Sequence, residues 1–433
     1  MVDSTRHGGR EPLARHGVLR TRHPLMSILA ILAIVVGVTV VSGAGVGAFA
    51  VWSTASAVVD GAVDIGEEGD VVPPSLGAIE GGVNLLLVGT DSCEGANAAL
   101  STACASGDTD GERNDVTMLV HISDNPRRVT VVSFPRDMIV PIPSCSKEDG
   151  SGDYSAMSAQ MINSSYMYGG LACTVKTVEA LTGEDIQFAA SIRWTGVINM
   201  SDAIGGVDVC VADDISDTHT GLKLSAGQHT LQGVEALQFL RIRHGIGDGS
   251  DLGRISNQQQ FMSSMVRKLQ SDGVLANPAV LFNLATTAIS QVTQGQLVLS
   301  QSLANPTLMA QIAMAVKNVP YADIVFVQYP TRYAPGEGSS RVMPVKDSGD
   351  ILFAALRDND ALNLTGDASS GYGVEVTGEA AQPTTAPVET PDPAATDAAT
   401  APAETAAPET RVDLPSNISG QTAAQVTCTV AQR

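Results

Sequence analysis

The densest group of side chains that could do chemistry lies between residues 241 and 258. It contains Arg241, Arg243, Asp251, Arg254 and Gln258. Arg241 and Arg243 stand two apart, so in an extended segment they point to one face. We expect Asp251 to cap a helix in which Arg254 and Gln258, four residues apart, share a face. Arginines near a helix N-terminus favour a phosphate site, and the alternative is a solvated charged face.

Two aspartates adjoin strands that we predict to be neighbours. Asp91 follows the apolar run Val83–Val88, and Asp115 directly precedes the apolar run Val116–Ile122. Ligand sites of α/β sheets lie beyond the carboxyl ends of strands. Two carboxylates there can share one Mg²⁺, which takes oxygen ligands. The alternatives are a polar residue entering a loop for Asp91 and a loop cap for Asp115.

A third polar group, Arg136 and Asp137, follows the strand predicted for Val129–Phe134. Pro135 ends that strand and leaves both side chains at its mouth, and the alternative is a surface salt bridge. The sequence has neither a Gly-x-Ser-x-Gly elbow nor a Gly-x-x-x-x-Gly-Lys-Ser/Thr phosphate loop. His244 has no evident orienting partner, so we interpret it as a neighbour of the arginines rather than a base.

The composition restricts both fold and partners. The chain has 433 residues, with 25 Lys and Arg against 46 Asp and Glu, and its formal net charge is −21. Nucleic-acid binding requires a basic face, so we expect no nucleic-acid partner. Apolar residues make up 44% of the chain, which excludes wholesale disorder. Aromatic residues, at 4%, are too sparse for a sugar groove built mainly on aromatic stacking.

The N-terminus predicts a retained membrane anchor. Residues 1–24 carry five arginines, and Leu25–Val51 then run 27 residues without a charge. At about 1.5 Å per residue such a helix spans an apolar layer of about 30 Å. The basic flank predicts a cytoplasmic N-terminus, with the chain after residue 51 on the extracytoplasmic side of the cell membrane. The alternative is a cleavable signal that ends near residues 53–57.

The rest of the chain divides by composition. Residues 52–80 are predicted to be a linker, and residues 81–360 the folded domain, because only there is apolar periodicity dense over a length that can form a core. Short apolar strands at 83–88, 116–122 and 129–134 are followed by helical spacing near 171–181, 195–204, 233–240 and 254–269. Alternating strands and helices predict an α/β layered fold.

The C-terminal part is predicted to be a disordered linker, 361–412, followed by a short segment, 413–433. The linker is rich in Ala, Thr and Pro, which cannot bury enough apolar surface to fold. Six cysteines in an exported chain can form three disulfides with 15 possible connectivities. We favour Cys93–Cys104 and Cys145–Cys173, which leaves Cys210–Cys428.

Six motifs occur in a fixed order within residues 80–270. They are GVNLLLVGTDS, RNDVTMLVHIS, VTVVSFPRD, INSSYMYGG, LSAGQHTLQGVEALQFLRIRH and DLGRISNQQQF. In this order, after one N-terminal anchor, they resemble the LytR-CpsA-Psr family of cell-envelope attachment enzymes, and the Ala/Thr/Pro-rich tail is similar to that of actinobacterial members. The resemblance implies a mixed central β-sheet flanked by helices in 81–360, with the motif core in 81–270.

The resemblance also implies a function. Family members are phosphotransferases that move a glycopolymer from a polyprenyl pyrophosphate carrier to peptidoglycan as a phosphodiester, with Mg²⁺ as cofactor. The matching motifs assign Asp91 and Asp115 to the metal. They assign catalysis to Arg136, Asp137, Arg241, Arg243 and Asp251, and substrate binding to Arg113, Arg136, Arg241, Arg243, Arg254 and Gln258. Either Asp137 or Asp251 would activate the acceptor hydroxyl.

Two points keep other functions open. Many relatives have an arginine where this chain has Cys93, so one substrate contact is missing. The carrier also needs an apolar groove, although core packing is the simpler interpretation of the apolar residues available for it: Leu171, Val175, Val178, Ile198 and Met200. One alternative is a non-catalytic envelope protein that binds a lipid-linked or anionic polymer. The other is a pyrophosphatase in which water replaces the acceptor.

Overall fold

The computed structural model describes residues 59, 61–66, 82–101, 104, 106–107, 111–271, 278–336, 340–382 and 411–432. The predicted anchor and the basic segment before it lie outside these residues. Within the described ranges, no helix is both long and apolar enough to cross a membrane. The described part of the predicted linker contacts the domain, because the Val63 amide donates to the Leu299 carbonyl at 2.8 Å and Ile65 is buried in the core.

The described elements follow the predicted alternation of strands and helices. The helices are α1 (Gly170–Thr182), α2 (Trp194–Ala203), α3 (Gly233–Arg241), α4 (Asp251–Gln270), α5 (Pro278–Thr293), α6 (Pro306–Val316) and α7 (Lys346–Arg357). The strands are β1 (Val83–Thr90), β2 (Asn114–Ile122), β3 (Val129–Phe134), β4 (Ile139–Ile142), β5 (Cys145–Ser146), β6 (Asp153–Tyr154), β7 (Met157–Met161), β8 (Phe188–Arg193), β9 (Val207–Val211), β10 (Ile215–Ser216), β11 (Lys223–Leu224), β12 (Gly227–Leu231), β13 (Leu297–Leu299), β14 (Ile324–Gln328), β15 (Thr331–Tyr333), β16 (Val342–Pro344), β17 (Ala361–Asn363), β18 (Val374–Glu379), β19 (Arg411–Asp413), β20 (Gly420–Thr422) and β21 (Gln425–Thr429). Helices α1 to α4 correspond to the four predicted helices.

A seven-stranded sheet forms the centre of the domain, in the order β13–β8–β1–β2–β3–β14–β20. Strand β8 is parallel to β1 and β14 is parallel to β3, and the other neighbours are antiparallel. The prediction of an α/β fold with a mixed central sheet is therefore confirmed. The antiparallel pairing of β1 with β2 sets Thr90 opposite Asn114. Asp91, just after β1, and Asp115, the second residue of β2, therefore lie at the same end of this strand pair.

Helices cover both faces of this sheet. Side chains alternate along a strand, so Leu86 of β1 faces the layer that contains Val175 of α1. Leu87 faces the opposite layer, which contains Met262 of α4. Helix α1 ends as predicted at Gly183, whose φ of +73° is a left-handed conformation that glycine adopts without strain.

The C-terminal region differs from the prediction. We expect residues 361–412 to be disordered, but β17 and β18 lie within this range and β19 begins in it. These short strands are ordered because β17 pairs with β19 and β18 pairs with β21, which are long-range contacts that local composition does not reveal. Residues 383–410, which hold most of the Ala/Thr/Pro-rich composition, lie outside the described residues.

A second sheet, in the order β12–β9–β21–β18, places the C-terminal strand β21 between β9 and β18. A disulfide between Cys210 and Cys428 joins β9 to β21 at a position where the two residues are direct partners. The other two predicted disulfides are also present, so the expected pairing is confirmed for all six cysteines: Cys93–Cys104, Cys145–Cys173 and Cys210–Cys428.

Candidate active site

The predicted site residues converge where β1 and β3 end and β2 begins. Asp91 follows β1, Asp115 is the second residue of β2, and Arg136 lies two residues after β3. The end of α3 and the first turns of α4 lie beside the same strand ends. The structure thereby brings together side chains that are up to 167 residues apart in the chain, from Asp91 to Gln258.

Asp91 and Asp115 form the acidic part of the site. The Asp91 Oδ1 accepts a hydrogen bond from the backbone N–H of Arg113 at 2.7 Å. Burial and then the charge of Asp115 raise the pKa of Asp91 to about 6. Burial acts on Asp115 in the same direction, but the charges of Arg136 and Arg254 outweigh it and lower the Asp115 pKa. The arginines therefore favour the ionised form of Asp115, whereas the surroundings of Asp91 favour its protonated form.

Arg136 is the centre of an ion-pair network. Its Nη1 donates to Asp115 Oδ1 at 2.7 Å, and its Nε lies 3.7 Å from both Asp137 Oδ1 and Asp251 Oδ1. Burial lowers the pKa of the Arg136 guanidinium, but the three carboxylates outweigh it and raise that pKa. The alternative of a simple surface salt bridge does not describe this arrangement, because the Arg136 side chain is only 24% exposed and lies near three carboxylates.

Helix α4 begins differently from the prediction. Ser250, rather than Asp251, is the N-cap, and its hydroxyl accepts from the Gly253 amide at 3.4 Å. Asp251 is the first helical residue and instead pairs with Arg254, with 2.5 Å between Oδ1 and Nη2 and both side chains 6% exposed. The Arg254 Nη2 also donates to the Asp115 carbonyl at 3.1 Å. These contacts hold the first turn of α4 against the start of β2.

Arg241 and Arg243 do not form the predicted extended pair. Arg241 is the last residue of α3, and the chain leaves the helix at Ile242, so the two side chains take different environments. The Arg241 guanidinium carbon lies 3.9 Å from the centroid of the Trp194 ring, and its Nη1 donates to the Leu100 carbonyl at 3.3 Å. Burial lowers the pKa of Arg241. A cation–π contact and one carbonyl leave donors of this guanidinium for a ligand.

The remaining predicted residues border the same network. Burial raises the pKa of Asp137 despite the opposing charge of Arg136, and the Arg243 charge also acts on Asp137. Gln258 donates from Nε2 to the Leu240 carbonyl at 2.8 Å, which ties α4 to the end of α3. The Arg113 Nε is buried without a hydrogen-bond partner, and the Arg113 charge opposes, without cancelling, the rise in the pKa of Asp91.

A cavity of about 450 Å³ opens from this network between the sheet and helices α2, α3 and α4. Its polar end is formed by Asp115, Arg241, Arg254 and Gln258. Most of the remaining wall is apolar and includes Met118, Ile192, Met200, Leu237, Phe261 and Met265. An apolar cavity with a cationic end fits an amphipathic molecule that has an anionic head group.

The sequence located this cavity only in part. Of the five residues considered for an apolar groove, Met200 lines the cavity, whereas Leu171, Val175 and Val178 belong to the core on the α1 side of the sheet. Ile198 is not among the cavity-lining residues. Sequence reasoning missed Trp194, which lines the cavity and stacks on Arg241. The apolar residues whose spacing predicted α4 include residues that line the cavity. Apolar spacing alone does not distinguish a cavity wall from a packed core.

The chain is similar to proteins of cell-wall synthesis. A Corynebacterium glutamicum protein named "Cell wall biosynthesis protein LcpA" is 28% identical over 301 residues, which are 65% of this chain and 57% of that protein. An Enterococcus faecalis protein named "Polyisoprenyl-teichoic acid--peptidoglycan teichoic acid transferase TagU" is 27% identical over 38% of this chain and 50% of its own length. The chain thus spans about half the length of each of these relatives.

A solved structure, "LytR-Csp2A-Psr enzyme from Actinomyces oris", aligns with 64% of this chain and 90% of its own, at 24% identity and a TM-score of 0.45. The model of the LytR_cpsA_psr family matches residues 53–342, which contain every predicted site residue. That match covers more than half of the chain and agrees with the resemblance of the six motifs. The chain therefore belongs to the LytR_cpsA_psr family.

Proposed function

We propose that this protein is a membrane-anchored, Mg²⁺-dependent phosphotransferase that moves a glycopolymer from a polyprenyl pyrophosphate carrier to peptidoglycan. The observation that carries the proposal is the cavity, which joins an apolar wall to a polar end containing Arg241 and Arg254. A polyprenyl pyrophosphate has the same two parts, an apolar tail and an anionic head. The names of the teichoic acid transferase and of the cell wall biosynthesis protein among its relatives support this choice.

The site residues suit a pyrophosphate. Arginine binds phosphate oxygens bidentately, and the Nε atoms of Arg113, Arg136 and Arg254 are buried without hydrogen-bond partners. Burial lowers the pKa of Arg241 because it removes water from the guanidinium cation. An anionic head group bound beside this cation would stabilise it. Phosphoryl transfer depends mainly on positioning and charge neutralisation, which these side chains supply.

The donor set also suits Mg²⁺. No group of three or more His, Cys, Asp or Glu side chains that could hold a metal ion occurs in the described parts of the chain. The two carboxylates that the protein would offer are those of Asp91 and Asp115, whose charges interact. Magnesium commonly binds to one or two carboxylates together with water and substrate phosphates. Burial and then the charge of Asp115 raise the pKa of Asp91, and a cation bound beside both carboxylates would favour the ionised form of Asp91. When bound there, Mg²⁺ would neutralise charge on the pyrophosphate oxygens.

The transfer is a displacement at the phosphorus that carries the polymer. The oxygen of a peptidoglycan hydroxyl forms a bond to this phosphorus, the bond to the bridging oxygen breaks, and polyprenyl phosphate leaves. Asp137 takes the hydroxyl proton, because burial raises its pKa, whereas Asp251 is engaged by Arg254 at 2.5 Å. Arg136, Arg241 and Arg243 stabilise the charge that moves to the leaving group.

We also propose that the domain works outside the cell membrane. The three disulfides favour an oxidising compartment. The uncharged run Leu25–Val51, with arginines before it, supports an anchor whose N-terminus is cytoplasmic. Such an anchor would keep the cavity near the lipid layer in which a polyprenyl carrier resides.

The test combines the full-length chain, a glycosylated short-chain prenyl pyrophosphate, a peptidoglycan oligomer and Mg²⁺. Mass spectrometry should detect a phosphodiester-linked product and released prenyl phosphate, and the Arg241→Ala variant should form at least a hundredfold less of both. EDTA should stop the reaction and Mg²⁺ should restore it. Binding without turnover would instead support a polymer-binding protein, and phosphate release without linkage would support a pyrophosphatase.

A further inference from the structure

We infer that the C-terminal strand positions the active-site arginines of this protein. Residues 343–433 lie beyond the part of the chain that the family model matches. The last of them nevertheless form β21 and the residues after it, 430–432, directly against α4 and the loop 242–250 that joins α3 to α4. The inference rests on the proposed function, because it concerns the residues that would bind the pyrophosphate.

The first contact is between β21 and the buried polar face of α4. The Thr429 hydroxyl is fully buried and lies 2.5 Å from Asn257 Oδ1 and 2.6 Å from Gln260 Oε1, so it donates its one proton to this pair of acceptors. The Gln260 Nε2 in turn donates to the Cys210 and Thr427 carbonyls, each at 2.7 Å. These bonds fix the rotation of α4, because they lock two side chains within one turn of the helix.

The same face of α4 holds the end of α3. The Asn257 Nδ2 donates to the Phe239 carbonyl at 2.7 Å, two residues before Arg241. A continuous series of hydrogen bonds therefore runs from Thr429 through Asn257 to the turn of α3 that carries Arg241. Asn257 also lies one turn after Arg254 in α4, so both arginines depend on this connection.

The second contact fixes the loop between α3 and α4. The Gly245 N–H donates to Gln432 Oε1 at 2.8 Å, and the Gln432 N–H donates to the Gly245 carbonyl at 3.0 Å. The Gly247 N–H donates to the Val430 carbonyl at 3.1 Å, and Ile246 forms a bridge with Ala431. The loop thus adds to the C-terminal strand as a short antiparallel neighbour, which constrains the path of the chain from Arg243 to the start of α4.

A covalent bond anchors this arrangement. The disulfide between Cys210 and Cys428 lies next to Thr429 and joins β21 to β9. The C-terminal strand is therefore held from one side by β9 and from the other by β18, and it presents Thr429 and Gln432 to the site helices. We assign Thr429 and Gln432 as positioning residues, since they act through Asn257 and Gly245 rather than on the substrate.

The test uses the full-length chain and farnesyl pyrophosphate as a soluble probe. Thr429→Val removes the hydroxyl and leaves two buried acceptors without a donor, so affinity for farnesyl pyrophosphate should fall about tenfold. Gln432→Ala should have the same direction of effect, and its exposed position makes it a variant that folds. Thr429→Ser keeps the hydroxyl and should restore affinity.

The matched control is Thr377→Val. Thr377 lies in β18, and its hydroxyl donates to the Val426 carbonyl of β21 at 3.2 Å and lies 3.4 Å from Cys428 Sγ, so both of these contacts are with β21. Hydrogen exchange of the backbone amides in residues 241–258 should accelerate in Thr429→Val and Gln432→Ala and stay at the wild-type rate in Thr377→Val. These exchange rates, together with a kcat that falls more than the yield of folded protein, would distinguish a positioning role from a general loss of stability.

Wild-type affinity and wild-type exchange in both Thr429→Val and Gln432→Ala would overturn the inference, as would an equal effect of Thr377→Val. A wild-type chain that neither binds farnesyl pyrophosphate nor shows turnover would refute the proposed function instead. In that case the hydrogen-exchange rates of the variants decide by themselves whether the C-terminal strand positions the loop 242–250.

Discussion

Replacing Asp91 with asparagine should stabilise the metal-free protein at neutral pH. Burial and the charge of Asp115 raise the pKa of Asp91 from its usual 3.8 to about 6, so the folded state disfavours the ionised carboxylate. That rise corresponds to about 3 kcal/mol of unfolding free energy, at about 1.4 kcal/mol for each tenfold change in proton affinity. Asparagine keeps an oxygen for the Arg113 N–H and carries no charge.

The gain should depend on pH in a defined direction. Below pH 3.8, Asp91 is protonated in both the folded and the unfolded chain, so its ionisation contributes little to the difference in stability between wild type and variant. Between 3.8 and about 6 the unfolded chain releases the proton first, and the wild type loses stability as pH rises. The advantage of Asp91→Asn should therefore grow over this interval and become constant at higher pH.

Urea denaturation in EDTA at several pH values from 4 to 7.5 measures this difference. The control is Asp149→Asn, because Asp149 Oδ1 also accepts a backbone N–H, from Ser151 at 2.9 Å, but is exposed. The hydrogen bonds from Ser151 lower the pKa of Asp149, so the control should show no gain in stability at any of these pH values. A difference that is the same at every pH, or an Asp91→Asn protein that is less stable than wild type at pH 7.5, would refute the reasoning.

Two further predictions concern the network and the cavity. Arg136→Met should lower the free energy of unfolding by about 2–4 kcal/mol, because Asp115 and Asp251 lose a partly buried cation. Chemical denaturation measures this loss, with Arg332→Met at an exposed position as the control. Equal stability of the two variants would contradict the prediction. Met262→Trp should fill the cavity and raise the KM for a prenyl pyrophosphate about tenfold, while affinity for inorganic pyrophosphate stays constant. Parallel losses for both ligands would show that the cavity does not hold the tail.

The local elements of the domain could be predicted because their signals are short-range. The apolar runs that became β1, β2 and β3 are bounded by polar or proline residues, and the apolar spacing of α1 ends at Gly183. The motifs also named polar residues that the structure brings together, since most of them lie beside the end of a predictable strand or helix. A strand boundary is a local property, so the residue that follows it can be named without knowledge of the fold.

Other features depended on contacts between distant segments. The order of Arg241 and Arg243 suggested an extended pair, but α3 continues through Arg241 because its apolar face packs against α2 and α4. Ser250 takes the capping role that Asp251 was expected to have, because Asp251 is used by Arg254 and Arg136. Tertiary ion pairs thus decided between two residues that are both good helix caps.

The sequence by itself determined the α/β class, the family and the list of polar residues, since these follow from periodicity and from motifs that are contiguous in the chain. Only the tertiary structure decided where the apolar cavity lies and that the C-terminal strand belongs to the site. Cavity walls and core faces have the same apolar spacing, so only packing distinguishes Met200 from Val175. Strand β21 contributes through pairing with β9, more than 200 residues earlier in the chain. The cysteines predicted the covalent link between these segments, but nothing in the local composition predicts the strand pairing.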